Sequence, residues 1–570
     1  MSEAKTSSWV ALQNPAFSKL WFATVTSGIC VSAHDTAATW MMNSTSHSTL
    51  LLSLMSTAAT LPFFLFILPA GALADITDHK KMLSTAYIWL AVCAGGVAIL
   101  GWLNLLNPAV ILGSVFLIGT GFALNAPAFS AVVPEIVSDE QLPSASTLTG
   151  LQLNISTIVG PALGGLLLAV AGANAVFALN ALCLLAVPIS IGPWKSTVAK
   201  LPLESFFEAV TSAIRYVRYS QGIRVILFRN ALFSLFIAVV PALMPVVGLK
   251  ELHLGPSHLG LLYTSMGIGS VFAAVLILPW ARAHFSPDAL TQMAMLVRWI
   301  AVALMALVRE PHAFLLVAAL AGVVWTVMAA ELWLAAQRAM PVWARGRMNA
   351  TVIMVSQGAM ALGGIVWGTI AATAGVRTAL LVNVFLGICS VALLRLLRAP
   401  LSIDFTMTAN LNAVPATVVN IGYKLLYRPE PKDGPVLLTV EFQLDRSRGS
   451  KFVDLMSEVR LIHLRSGAYS WQLFEDPSRH NTFRMEVMFP SWTQYLLQQD
   501  RMTKADREVF EEAESLHVGP DPPEVRMYLG VNKELLSHKH REAKSFPVPA
   551  PGTPSTPDGA PSSSRNDSTA

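Results

Sequence analysis

The chain has 570 residues, 54% of them hydrophobic and only 13% charged, with a formal net charge of +4. A soluble globular protein carries about 25% charged residues, so this composition excludes a wholly water-soluble protein, and so small a net charge gives no signature of nucleic-acid binding. The four cysteines, Cys30, Cys93, Cys183 and Cys389, all fall inside apolar runs, as small packing residues do, and not in disulfide or metal-ligand spacings.

Residues 1–19 are polar, show no signal-peptide pattern and lead directly into the first apolar run. Runs bounded by charge, Pro and Gly then predict twelve membrane helices near 17–42, 51–74, 82–104, 109–131, 146–170, 174–193, 223–247, 258–280, 289–308, 312–336, 347–372 and 376–398. The loops on one face hold Lys80, Lys81, Lys195, Lys200, Arg215, Arg218, Arg224, Arg282, Arg338, Arg345 and Arg347. Those on the other hold only Lys250, Arg309 and Arg377. This asymmetry places both termini in the cytoplasm.

Spans two and three form a hairpin with a tight charged turn, Gly71-Ala72-Leu73-Ala74-Asp75-Ile76-Thr77-Asp78-His79-Lys80-Lys81. Gly71 has no side chain, so a neighbouring helix can approach there, and Asp75 follows on the same helix face, where its carboxylate could cap another helix. The two halves look like repeats. Ala162-Leu163-Gly164-Gly165 recurs as Ala361-Leu362-Gly363-Gly364, and Ala171-Gly172 followed by Asn180 recurs as Ala374-Gly375 followed by Asn383. The expected organisation is a first six-helix bundle (1–193), an inter-bundle loop (194–222) in which 204–219 could form a surface amphipathic helix, and a second six-helix bundle (223–398).

Ionisable residues inside spans are few, and they are costly there. Asp35 in span one, Arg298 in span nine and Glu331 in span ten are the candidates for proton coupling or substrate contact. A carboxylate facing a central cavity can take a proton on one side and release it on the other, and Arg298 could supply a nearby cation. The bland alternatives are a snorkelling Asp35 and a structural Arg298–Glu331 pair. Glu135 and Asp139 are read just past span four.

After Arg398 the composition changes. A linker (399–435) precedes an α+β segment (436–540). Strand 436–444, helix 447–465, strands 468–475 and 482–489, helices 492–500 and 504–517, and strand 525–529 give the order β-α-β-β-α-β of a ferredoxin-like module. Residues 541–570 belong to a Pro/Ser/Gly-rich tail expected to be disordered. The fold class is thus an all-α polytopic membrane protein followed by a small α+β soluble domain. No metal cluster, phosphate loop or nucleotide fingerprint appears, and no cofactor is expected.

The hairpin turn resembles the signature loop of the major facilitator superfamily, Gly-x-x-x-Asp-Arg-x-Gly-Arg-Arg/Lys. Gly71, Asp75 and Lys80 match, while Ile76, Asp78 and His79 replace Arg, Gly and Arg. Ser156-Thr157-Ile158-Val159-Gly160-Pro161-Ala162-Leu163-Gly164-Gly165 resembles the Gly-x-x-x-Gly-Pro-x-x-Gly-Gly motif of drug/proton antiporters, with Ser156 for the first Gly. Arg345-Gly346-Arg347 before span eleven, and the stretches around Trp471, Trp492 and Asp500–Asp506, resemble the transmembrane secretion effector branch and its cytoplasmic extension. The resemblance implies export of a drug, siderophore or secondary metabolite through the bacterial inner membrane, coupled to protons, without enzymatic activity. It also implies that Asp75 meets the start of span eleven near Arg347 when the transporter opens outward. The C-terminal module resembles small antibiotic-monooxygenase-like domains that pair as dimers, which leaves dimerisation through it open. The competing reading is a membrane-anchored enzyme or sensor whose C-terminal module binds or modifies a small ligand.

Overall fold

The computed structural model describes residues 9–192, 206–396 and 429–530, apart from 139, 341–344 and 431. Linker residues 399–428, the tail and Asp139 lie outside these residues.

A polar cap followed by Pro opens many of the long helices. In α1 (Pro15–Thr45) the Asn14 side chain accepts from the N–H groups of Ala16 and Phe17. Asn107 and Pro108 start α4 (Pro108–Ile136), Ser286 and Pro287 start α12 (Pro287–Leu307), and Glu310 and Pro311 start α13 (Pro311–Ala339). The cap satisfies an orphan donor, and proline is tolerated where no intrahelical N–H bond is due. Ser48 caps α2 (Thr49–Ile76), and Asp78 caps α3 (His79–Trp102) by accepting from the Lys81 N–H. Glu135, read beyond span four, stands in the last turn of α4.

Spans five and six run as one continuous element, α5 (Leu142–Leu184), broken at Gly172 with φ 77° and ψ 170°. Its repeat partner Gly375, at φ 90°, separates α14 (Arg345–Ala374) from α15 (Val376–Leu396). Both repeat glycines adopt the left-handed region that disfavours side chains, so the Ala-Gly repeat marks one turn used twice. The short α6 (Ala186–Ile191) follows α5, and α7 (Phe206–Tyr219) falls within the stretch expected as a surface helix. The second half continues with α8 (Gln221–Ile237), α9 (Val239–Val246) with a π turn at Val247–Glu251, and α10 (Pro256–Phe272), which a second π turn joins to α11 (Leu278–His284). Among the described residues, nine segments are long and apolar enough to cross a membrane.

The halves meet along two helix pairs, α2 with α14 and α5 with α10, while α1 packs along α5 inside the first half and α8 along α14 inside the second. Small residues make these approaches possible. A Cβ on Gly260 would lie 2.4 Å from the Pro161 carbonyl, and one on Gly267 would lie 2.6 Å from that of Thr157. Along α2–α14, a Cβ on Gly368 would meet Ser53 at 2.0 Å, and one on Gly364 would meet Thr57 at 2.4 Å. Thr57 also donates to the Ala361 carbonyl at 3.0 Å.

The C-terminal module comprises β1 (Val436–Gln443), α16 (Gly449–Ser466), β2 (Ser470–Glu475), β3 (Thr482–Phe489), α17 (Trp492–Arg501), α18 (Lys504–Ser515) and β4 (Glu524–Leu529). Its antiparallel sheet runs β2-β3-β1-β4, with Val440 opposite Met485 on one side and Val525 on the other. Val436, Leu438, Val440 and Phe442 alternate into a core with Phe452, Met456, Val459 and Trp492, against which Trp471 packs partly buried. Helix α7 joins the membrane bundle to this module. Its Tyr216 clusters with Ile226 of α8, Ala336 of α13 and Met348 of α14, and Arg215 donates to the Gly467 carbonyl at 3.4 Å just past α16.

Candidate functional site

Asp35 stands on α1, about 15 Å from the Thr45 end by helical rise. It is solvent-accessible, although its neighbours His34 and Thr36 are buried. Thr39, one turn on, donates to the Asp35 carbonyl at 2.8 Å. Across the junction between halves, Tyr263 of α10 lies near Thr39 and Asp35 of α1. Asp35, Thr39 and Tyr263 therefore form one polar cluster built by both halves.

The glycine-rich motif of α5 supports this cluster. A Cβ on Gly160 would fall 2.5 Å from Ser32 Cβ, and one on Gly164 would fall 2.6 Å from Ala33 Cα, so both glycines seat α1 immediately before Asp35. Gly165 faces the other way, where its Cβ would meet the Pro256 carbonyl at 2.9 Å, and the Pro161 carbonyl meets Gly260. Gly160, Pro161, Gly164 and Gly165 are thus the three-way contact of α1, α5 and α10.

Glu331 and Arg298 do not join the cluster, and they do not pair with each other. Glu331 Oε1 accepts from Arg282 Nε at 2.7 Å, with its side chain 3% exposed and that of Arg282 42% exposed. Arg298, also buried, donates through Nη1 to Asn383 Oδ1 at 3.2 Å and lies over the Phe236 ring at 5.5 Å. The alternative of an Arg298–Glu331 pair is not what forms: Glu331 pairs with Arg282, and Arg298 with Asn383. Sequence spacing misses Arg282 and Tyr263 for the same reason: each acts across a helix–helix contact and not along its own helix.

The gating stretch lies at the opposite end of the bundle from Lys250. Lys80 donates to the Gly192 carbonyl at 2.8 Å, and His79 Nδ1 is in hydrogen-bond contact with the Glu135 carboxylate. The histidine that replaces an arginine of the signature loop therefore finds a carboxylate within its own half. The close approach expected at Gly71 is absent: a Cβ there would meet nothing within 4 Å among the described residues, and the same holds at Gly346 near the start of α14. The side chains of Asp75, Arg345 and Arg347 lie outside the described residues. At the other end, Lys250 Nζ, at the head of the second half, donates to the His47 carbonyl at 2.5 Å and reaches Thr49 Oγ1 at 3.4 Å in the first half. The halves are tied together at the Lys250 end by this contact.

Comparison with known proteins accounts for this architecture. The chain resembles macrolide efflux protein A of Streptococcus pyogenes, with 24% identity over 45% of this chain and 66% of that protein. It also resembles the enterobactin exporter EntS of Citrobacter koseri, with 28% identity over 46% of this chain and 63% of that protein. The matched part is less than two thirds of either relative's length. Among solved structures, a POT family transporter in complex with thioalcohol conjugated peptide shares the fold, with a TM-score of 0.56 at 13% identity, covering 68% of this chain and 96% of that one. The model of the transmembrane secretion effector family matches residues 6–535. The chain, a multi-span membrane protein, belongs to that family of the major facilitator superfamily.

Proposed function

We propose that the chain is a secondary active transporter that exports a small molecule in exchange for protons by alternating access. The observation that carries this reading is Asp35, a solvent-accessible carboxylate within the bundle, at the junction of α1 and α10, held in place by the glycines of α5. A carboxylate there can alternate between protonated and ionised forms as the halves rock, because its desolvation changes with the state of the junction. The named relatives are efflux and export proteins, not enzymes, so macrolides and enterobactin are the first substrates to try.

The twelve-span reading is supported by the break at Gly172, which divides α5 into two crossings, and by α1 and α15 beside the nine long apolar segments. With the lysine- and arginine-rich loops at the Gly71 end in the cytoplasm, both termini are cytoplasmic and the clamp at Lys250 closes the outer side. The conformation then faces inward, and Asp75 would meet α14 only after the halves rock the other way. The antiparallel order β2-β3-β1-β4 with its helices supports a ferredoxin-like reading of the C-terminal module.

Reconstitution in proteoliposomes containing a pH-sensitive dye tests the mechanism. Substrate added to the wild type should drive proton movement that Asp35→Asn abolishes, while Asp35→Asn still exchanges substrate without a gradient. Normal proton-driven transport by Asp35→Asn would sink the assignment.

A further inference from the structure

The glycines of α14 show how it runs along α2. Ser53, Thr57 and Phe64 of α2 lie in turn against Gly368, Gly364 and Gly358, where a Cβ would meet them at 2.0, 2.4 and 2.4 Å. The two helices are therefore antiparallel, and α2 beyond Phe64 runs toward the start of α14. There α7 stands beside both. Its Tyr216, 5% exposed, is seated with Met348 and Val352 of the first turns of α14 and with Ile226 of α8, and α7 also touches α2. It thus spans the two halves at the end away from Lys250, where the start of α14 would approach α2 if that end closed.

The most extensive packing of α7 is on neither half but on α16 of the C-terminal module. Arg215 donates through Nη1 to the Gly467 carbonyl at 3.4 Å. A cation is favoured at a helix C-terminus, where carbonyls lack intrahelical partners. The end of α16 that receives it is held firmly from within the module. Arg501, 5% exposed, donates to the Ser466 carbonyl at 2.9 Å and to Gln494 Oε1 at 3.2 Å, and Arg465 pairs with Asp506. Gly467 has φ 147°, a conformation that a side chain would strain. We propose that the docked module is a brake on the rocking of the halves: by holding α7 against α2 and the start of α14, it keeps that end from closing until the module or α7 moves. This inference rests on the alternating-access reading above.

The test is pulsed electron resonance on the purified full-length protein, with its four native cysteines replaced. One pair of spin labels, at Leu73→Cys and Gly346→Cys, measures the gate between α2 and α14, and both positions are exposed. A second pair, at Ile214→Cys on α7 and Val453→Cys on α16, also exposed, reports whether the module stays docked. Arg215→Glu reverses the charge at the end of α16. Gly467→Ala disturbs the same contact from the module side, away from the bundle, and decides if Arg215→Glu fails to fold. Either variant should lengthen the docking distance and raise the shorter-distance component of the gate about tenfold, as loss of a charge-assisted hydrogen bond does. A gate distance that stays unchanged while the module comes away overturns the proposal, and so does a docking distance that neither variant moves. Lys250→Met separates this failure from that of the underlying reading. If Lys250→Met shortens the gate distance and module release does not, the halves rock without a brake. If neither shortens it, alternating access fails with the proposal.

Discussion

Arg282 donates from Nε to Glu331 Oε1 at 2.7 Å and ties the end of α11 to the C-terminal third of α13. Glu331 is the buried partner and Arg282 the half-exposed one, so the two are not equivalent. Arg282→Gln leaves a buried carboxylate uncompensated, while Arg282→Gln with Glu331→Gln removes both charges. The single Arg282 variant should therefore be the less stable, by an amount between the ~1 kcal/mol of an exposed pair and the ~3–5 kcal/mol for breaking a buried one. A double-mutant cycle on thermal unfolding in detergent measures this. A double variant no more stable than Arg282→Gln would mean that Glu331 is neutral in the folded protein.

The contact of Lys250 with the His47 carbonyl and Thr49 ties the halves together at one end only. Lys250→Met removes a charged donor, whose hydrogen bond is worth about 1.5–3 kcal/mol. It should move the population toward the state open at that end by about tenfold or more. Spin labels on the loops around His47 and Leu252 would show a longer-distance component. An unchanged distance distribution would leave the helix contacts alone holding that end shut.

The α5–α10 approach offers a steric counterpart. Gly260→Val places a branched side chain where even a Cβ would come within 2.4 Å of the Pro161 carbonyl. The halves should be unable to close at the Lys250 end, and export should fall at least tenfold with protein levels retained. Normal export in this variant would show that α5 and α10 need not meet as closely as they do here.

Much of this was legible in the sequence, for reasons visible in individual residues. Span positions follow from apolar length, and the Ala-Gly repeats at Gly172 and Gly375 follow from backbone freedom; both signals are local. The first strand of the C-terminal module was readable because Val436, Leu438, Val440 and Phe442 recur at every second position and are all buried. Partner choice was not readable. Glu331 could pair with Arg298 or Arg282 as far as composition shows, and only the packing of α11 beside α13 selects one. Nor could Tyr263 be matched to Asp35, because their helices belong to different halves.

His463 gives the C-terminal module a pH dependence of definite sign. It is buried on α16, accepts at Nδ1 from Gln498 Nε2 at 2.9 Å, and burial holds its pKa down to about 3 from 6.5. The unfolded chain therefore binds a proton below pH 6.5 that the folded module refuses. Stability is complete at neutral pH and is lost as the pH falls from about 6.5 toward 3. At pH 5 the loss should be about 2 kcal/mol. Chemical denaturation followed by Trp492 fluorescence at pH 7 and pH 5 would show it, and His463→Gln should flatten the difference. Equal stability of the wild type at both pH values would mean that the imidazole is protonated in the folded module.

The ion pair of Arg465 and Asp506 sits where α7 meets the module. Asp506 is 3% exposed, and its carboxylate also accepts from the Thr503 N–H at 3.1 Å in a capping box at the start of α18. Burial pushes the Tyr216 hydroxyl up to about 12, with the charges of Arg465 and Asp506 acting in opposite directions on it, so the α7 tyrosine senses this pair directly. Asp506→Asn removes the charge of the pair and weakens the cap, and the combined loss should be about 2–4 kcal/mol. The cost should fall on the module and its α7 contact, not on the helices of the membrane bundle. Limited proteolysis of the purified protein would then release the C-terminal module at denaturant concentrations where the wild type resists cleavage, with the bundle fragment intact. Simultaneous loss of module and bundle would show that α7 fuses them into one cooperative unit, and unchanged resistance would show that the Asp506 pair contributes nothing to the docked module.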